Sequence, residues 1–152
     1  MNYNDIFRRF RYAVDMSDAT IMEIFALSHT SIDAQQLSGY FRREDDLEYQ
    51  ELPAGVLNKF FDGLIVYTRG QRDKISAPAP SPFNNNMILK KIRVALQLCE
   101  QDMLDIFADA SFKISKAELS ALFRKQGHKN YKECGDQIVR NFLQGLTIHN
   151  RS

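Results

Sequence analysis

Between residues 113 and 132 the chain carries Lys113, Lys116, Arg124, Lys125, Lys129 and Lys132. Clustered cations of this kind neutralise phosphates, and amide and hydroxyl side chains among them can read base edges. The segment they surround, Ile114 to Lys125, places its polar residues on one side as a recognition helix does. With the segment before it, it outlines a helix-turn-helix-like pair, although the turn lacks the usual glycine and is one residue too long. The competing reading is a helix hairpin with a solvated basic face, which is what most charge runs are.

Other chemistry is poorly represented. Cys99 stands at the expected start of a helix, where the dipole lowers a thiol pKa. Its counterpart earlier in the chain is Ser17, so capping alone accounts for a small polar residue there. His29, His128 and His149 have no mutual spacing that sets two ligands on one helical face. The acidic run at residues 44–48 lacks the glycine and the terminal glutamate of a calcium loop. There is no glycine-rich phosphate loop and no acid pair spaced for general acid and base work. These residues imply no metal, no cofactor and no catalytic set, and the expectation is a protein that is not an enzyme.

The elements that must position the cations come in two copies. Shifted by 82 positions, residues 4–69 overlie residues 86–151 without a gap, with 18 identities in 66 pairs. A repeat of this length is one supersecondary unit used twice. Each copy reads as four short helices. The first begins at Asn4 or Asn86, read as N-caps, with apolar residues at helical spacing: Ile6, Phe7, Phe10 and Ala13 against Ile88, Leu89, Ile92 and Ala95. The second follows Ser17 or Cys99. The third starts at capping boxes, Asp33 with Gln36 and Ser115 with Glu118. The fourth starts near Pro53 and carries Leu57, Phe60, Phe61 and Leu64 against Val139, Phe142, Leu143 and Leu146. Nothing reads as a strand. The expected architecture is all-α: a first helical repeat over 1–70, a Pro/Ala/Ser linker over 71–83, and a second, pseudo-symmetric four-helix repeat over 84–152.

Four recurring positions carry structural expectations. Gly63 and Gly145 lie inside the fourth helices, where glycine costs about 1 kcal/mol relative to alanine, so another helix should cross there with no room for a side chain. Glu51 and Glu133 are the only acidic residues identical in both copies. Arg11 and Arg93 flank the apolar stripe of the first helices. The expectation is an Arg11–Glu51 ion pair in one repeat and Arg93–Glu133 in the other.

Charge separates the copies. Residues 1–70 hold 7 Lys and Arg against 11 Asp and Glu, a net of −4, while residues 84–152 hold 11 against 7, a net of +4. Halves of opposite sign attract, within one molecule or between two. The first half is also rich in aromatics, which suit either a core or a groove for a partner helix. No apolar run reaches the roughly 18 residues of a membrane helix, and no signal-peptide pattern opens the chain. Cys99 and Cys134 both fall in the second copy, so they read as reduced thiols of a cytoplasmic protein.

The opening run Asn2-Tyr3-Asn4-Asp5-Ile6-Phe7-Arg8-Arg9-Phe10-Arg11-Tyr12-Ala13, with Ile24-Phe25, Glu44-Asp45-Asp46, Gly63-Leu64-Ile65 and Arg69-Gly70, resembles the YehS-like family of small bacterial proteins. The resemblance covers essentially the whole chain. It implies a cytosolic protein of two tandem helical domains, and it brings no catalytic residue, substrate or cofactor. The function these readings favour is non-enzymatic binding of a macromolecule, a protein partner or a second copy of the chain. The alternatives are nucleic acid on the basic face of the second repeat, and a small-molecule or catalytic site in a cleft between repeats.

Overall fold

A computed structural model describes residues 1–70 and 83–151, so the expected linker lies outside the described residues except for Phe83. Among the described residues there are eight α-helices and no strand: α1 (Tyr3–Val14), α2 (Asp18–Leu27), α3 (Ala34–Tyr40), α4 (Ala54–Arg69), α5 (Asn85–Leu96), α6 (Glu100–Asp109), α7 (Lys116–Leu122) and α8 (Asp136–Arg151). The second four repeat the first four in order and length. Most of the helices begin where side chains satisfy free N–H groups. Ser17 caps α2, Asp33 and Gln36 close a capping box on α3, and Ser115 and Glu118 close one on α7.

The first helices start two residues earlier than Asn4 and Asn86 imply. Asn2 and Asn84 are the N-caps, accepting from the N–H groups of Asp5 and Met87. Asn4 and Asn86 are instead buried, 4% and 7% exposed. Asn4 donates to the carbonyls of Tyr40 (3.1 Å) and Gln50 (2.8 Å) and accepts from the Leu52 N–H (2.8 Å). Asn86 does the same for Leu122, Lys132 and Cys134 at 3.0, 2.9 and 2.9 Å. Each asparagine therefore staples the loop between the third and fourth helices of its repeat. Without that staple the loop would bury backbone groups with no partner.

Within each repeat the second helix crosses the fourth, α2 on α4 and α6 on α8. Glycine sets the distance. A Cβ at Gly63 would stand 2.1 Å from the Ile24 carbonyl oxygen, and one at Gly145 would stand 1.9 Å from that of Ile106. Between repeats the pairing is reciprocal: α1 packs along α8 and α4 along α5. Each first helix thus lies on the fourth helix of the other repeat, and the apolar stripes close into a shared core.

That core absorbs most of the phenylalanines of the first repeat. Phe7, Phe10, Phe25, Phe60 and Phe61 are all fully buried. Phe60 sits at the centre, with the rings of Phe7, Phe10, Phe25 and Phe61 at 4.8–6.1 Å in edge-on or tilted arrangements. The large apolar side chains left exposed are Tyr12, Leu27, Leu47, Tyr67 and Ile148, on five different elements. No helix among the described residues is long and apolar enough to cross a membrane.

Candidate functional site

Lys116 opens α7, Lys113 lies in the connection before it, and Arg124, Lys125, Lys129 and Lys132 follow in the loop to α8. All six are exposed. None closes an ion pair within 4.0 Å among the described residues. The equivalent loop of the first repeat is neutralised from within: Arg42 meets Asp46 at 3.2 Å and Glu48 at 3.0 Å, and Arg43 meets Asp45 at 3.7 Å. The difference lies in four substitutions, since Glu44, Asp45, Asp46 and Glu48 become Gln126, Gly127, His128 and Asn130.

The two loops nevertheless keep one turn. Asp46 Oδ1 accepts the Glu48 N–H at 2.8 Å, and His128 Nδ1 accepts the Asn130 N–H at 3.0 Å. The Glu48 N–H, with Arg42 behind it, holds the Asp46 carboxyl below the usual carboxylate range. A charged turn-former has been exchanged for an imidazole with the backbone preserved. The one carboxylate on α7, Glu118, is committed to its capping box, where the Ser115 N–H lowers its pKa.

The helix-turn-helix expectation needs correction. Six residues, 110–115, join α6 to α7, against the three or four of a helix-turn-helix. The helix ends at Leu122, so Arg124 and Lys125 belong to the following turn and not to a recognition helix. What remains is a two-turn helix with cations at both ends.

The expected Arg–Glu pairs are also corrected. Arg11 pairs with Asp18 at 2.5 Å, donates from Nε to the Met16 carbonyl at 3.0 Å, and lies 4.5 Å over the Phe41 ring. Arg93 donates from Nε to the Leu98 carbonyl at 3.0 Å and lies 4.7 Å over Phe123. In both repeats the residue after the first helix is left-handed, Asp15 at φ 52° and Gln97 at φ 54°. That reversal returns the carbonyl of the next residue, Met16 or Leu98, toward the arginine, which accounts for the arginine in both copies.

Glu51 and Glu133 lie elsewhere, exposed on the wall of a cleft between the repeats of about 450 Å³. Equivalent residues of the two repeats line it together: Asn4 and Asn86, Glu51 and Glu133, Leu52 and Cys134. Asp136 on its rim is held below the usual carboxylate range by the Asn85 amide at 2.9 Å, with the N-terminal ammonium at 3.6 Å adding to it. Burial pushes the Cys134 thiol up to about 12, so it stays protonated and unreactive at neutral pH. Cys99 is exposed at the head of α6. Of the histidines, His149 faces Asp109 at 3.2 Å, His128 holds its turn, and His29 occupies a left-handed bend. Among the described residues no three His, Cys, Asp or Glu side chains gather as a cation site.

The family model described as "Protein of unknown function (DUF1456)" matches the chain twice, over residues 3–70 and 85–152. The chain belongs to the DUF1456 family. Each match takes in one set of four helices, so the DUF1456 unit is the repeat itself. The chain is also 40% identical over 146 residues to "Uncharacterized protein YehS" of Escherichia coli (strain K12), covering 94% of this chain and 92% of that protein. No solved structure matches it. The DUF1456 relationship agrees with the resemblance seen in the opening residues and assigns no activity to any of them.

Sequence reasoning missed three features of this DUF1456 chain: the loop-stapling role of Asn4 and Asn86, the stacking of Arg93 on Phe123, and the presence of Ser120 beside them. Each was signalled by recurrence at the 82-residue shift. Recurrence marks a shared role without naming the partner.

Proposed function

We propose that this protein binds nucleic acid in the cytoplasm through the face of its second repeat built around α7, acting as a binding protein and not as an enzyme. The observation that carries this reading is the set of six exposed cations with no ion-pair partner among the described residues, where the equivalent loop of the first repeat neutralises its own arginines. Unpaired, solvated cations that replace counterions along a strand supply sequence-independent affinity. A protein partner or self-association, the reading the sequence favoured, has less support. Five phenylalanines of the first repeat are spent in the core, and the exposed apolar side chains, Tyr12 and Tyr67 among them, sit on five different elements. The net +4 of the second repeat stands beside a first repeat of −4, so the molecule presents one attractive and one repulsive side to a polyanion.

The test is fluorescence anisotropy with labelled duplex DNA, single-stranded DNA and RNA. The wild type is compared with a triple variant, Lys116→Glu, Arg124→Glu and Lys125→Glu. All three positions are exposed, so the variant should fold. Binding by the wild type and loss of at least tenfold in the variant, roughly the scale of several lost phosphate contacts, supports the reading. Equal binding by both proteins, or none by the wild type at low salt, rejects it.

A further inference from the structure

We infer that Arg93, Ser120, Phe123 and Arg124 form a phosphate-binding pocket, and that the arginines of its counterpart in the first repeat are neutralised by the protein's own carboxylates. The inference deepens the nucleic-acid reading, on which it rests for the occupant: a phosphate of the bound strand.

It begins from the internal duplication. Most of the 18 positions identical in both repeats are core residues or helix crossings. Arg11, Ser38, Phe41 and Arg42 are not, yet all four line one pocket of about 440 Å³. Their counterparts line a pocket of about 400 Å³ on the second repeat. Nothing in the core requires an exposed serine and a second arginine to recur together.

The geometry of the first repeat shows what these groups take. Arg11 Nη2 meets Asp18 at 2.5 Å, and Arg42 holds Asp46 and Glu48 at 3.2 and 3.0 Å. Three carboxylates thus occupy the two guanidinium forks, which is the charge-assisted oxyanion recognition that arginine suits. In the second repeat Asp46 and Glu48 are replaced by His128 and Asn130. Glu100, the counterpart of Asp18, lines the pocket without closing an ion pair to either arginine within 4.0 Å.

The acceptor side is therefore open while one of the donors, Arg93, is held in place. Arg93 is fixed by its Nε bond to Leu98 and by Phe123 beneath its plane, and its terminal nitrogens have no other partner among the described residues. Among the described residues, Ser120 Oγ and the Arg124 guanidinium close no hydrogen bond. Two guanidinium groups and a hydroxyl around one cavity match the several acceptor oxygens of a tetrahedral phosphate. Glu100 on the rim opposes the anion, so its neutralisation should strengthen binding.

The experiment is an NMR titration of the full-length ¹⁵N-labelled protein, first with inorganic phosphate and then with a short single-stranded oligonucleotide. The expected result is saturable shifts at Ser120, Phe123, Arg124 and the Arg93 Nε–H, with Ser38, Phe41 and Arg42 silent. Arg124→Gln should abolish the phosphate response and weaken the oligonucleotide about tenfold, the scale of one charge-assisted contact. Glu100→Gln should tighten phosphate binding. Asp46→Asn combined with Glu48→Gln should make Ser38 to Arg42 respond as well. Shifts spread evenly over the lysines, no shifts, or an equal response of both wild-type repeats would overturn the pocket. Phosphate saturation without oligonucleotide binding would keep the pocket and reject a strand as its occupant. Oligonucleotide binding unchanged by Arg124→Gln, with phosphate silent, would reject the pocket and keep the nucleic-acid reading.

Discussion

Lys91 on α5 places its Nζ 2.6 Å from Oδ1 of Asp62 on α4, and also donates to Asn58, tying the two repeats at one of their two long helix pairings. The equivalent positions on the other pairing hold Arg9 and Gln144, so the ion pair is specific to the α4–α5 side. The Lys91 side chain is only 16% exposed. Removing Asp62 leaves an ammonium half out of water with an amide as its remaining partner. Asp62→Ala is expected to cost about 1–3 kcal/mol, between the values for exposed and buried pairs. Urea unfolding checks it, and the effect should persist in added salt because the pair is shielded.

Gly63→Ala and Gly145→Ala are expected to be among the most damaging single substitutions in the chain. The new methyl group would meet a backbone carbonyl at about half of normal contact distance, and neither helix can yield without separating from its partner. A loss of about 3 kcal/mol or more follows. Gly55, in the first turn of α4 with nothing within 4 Å, supplies the control. Gly55→Ala should stabilise by up to about 1 kcal/mol through helix propensity. Thermal melts of the three variants separate the cases.

Asn4→Ala would leave two carbonyls and one N–H of the α3–α4 loop without partners, and Asn86→Ala would do the same before α8. Each should cost about 2–4 kcal/mol. Asn→Asp should not rescue either site, because a carboxylate retains the acceptor but turns a second acceptor toward two carbonyl oxygens. Hydrogen exchange at the Leu52 and Cys134 amides, compared with that of the core helices, would report the loss locally.

The thiols should differ sharply in reactivity. Cys99 is exposed and Cys134 is 3% exposed with its pKa pushed up to about 12 by burial, so a disulfide reagent at pH 8 should label one thiol in the folded protein and two in urea. The sign of the pH effect follows. Above about pH 9 the unfolded chain releases the Cys134 proton and the folded chain keeps it. This residue therefore lowers stability progressively between its unfolded and folded pKa values. Cys134→Val should remove that component and leave the fold intact. Rapid labelling of two thiols under native conditions would contradict the assignment.

The helices were legible because their signals are local. Capping boxes at Asp33 and Ser115 and the apolar spacing in each copy locate the elements to within two residues. Gly63 and Gly145 were legible for a different reason: a residue unfavourable in a helix, present in both copies, implies a neighbour too close for a side chain. Partners distant in sequence were not legible. Arg11 and Glu51 recur for separate reasons, one to bind a carbonyl returned by a left-handed turn, the other on the wall of the inter-repeat cleft. Pairing them by charge alone led to the wrong contact. The reciprocal packing of α1 on α8 and α4 on α5 was also hidden, since either repeat's apolar stripe would suit its own fourth helix equally well. The six cations were visible as a cluster, but their freedom from ion pairs depends on where the first repeat places its carboxylates.

The salt dependence of nucleic-acid affinity tests the account most directly. For duplex DNA the logarithm of the association constant should fall linearly with the logarithm of salt concentration, with a slope of about −4 to −5 if four to six of the cations around α7 each displace a counterion. The Lys116, Arg124 and Lys125 charge reversal should flatten that slope. Binding that is absent at low salt, or that is insensitive to salt and to the charge reversal, would contradict it.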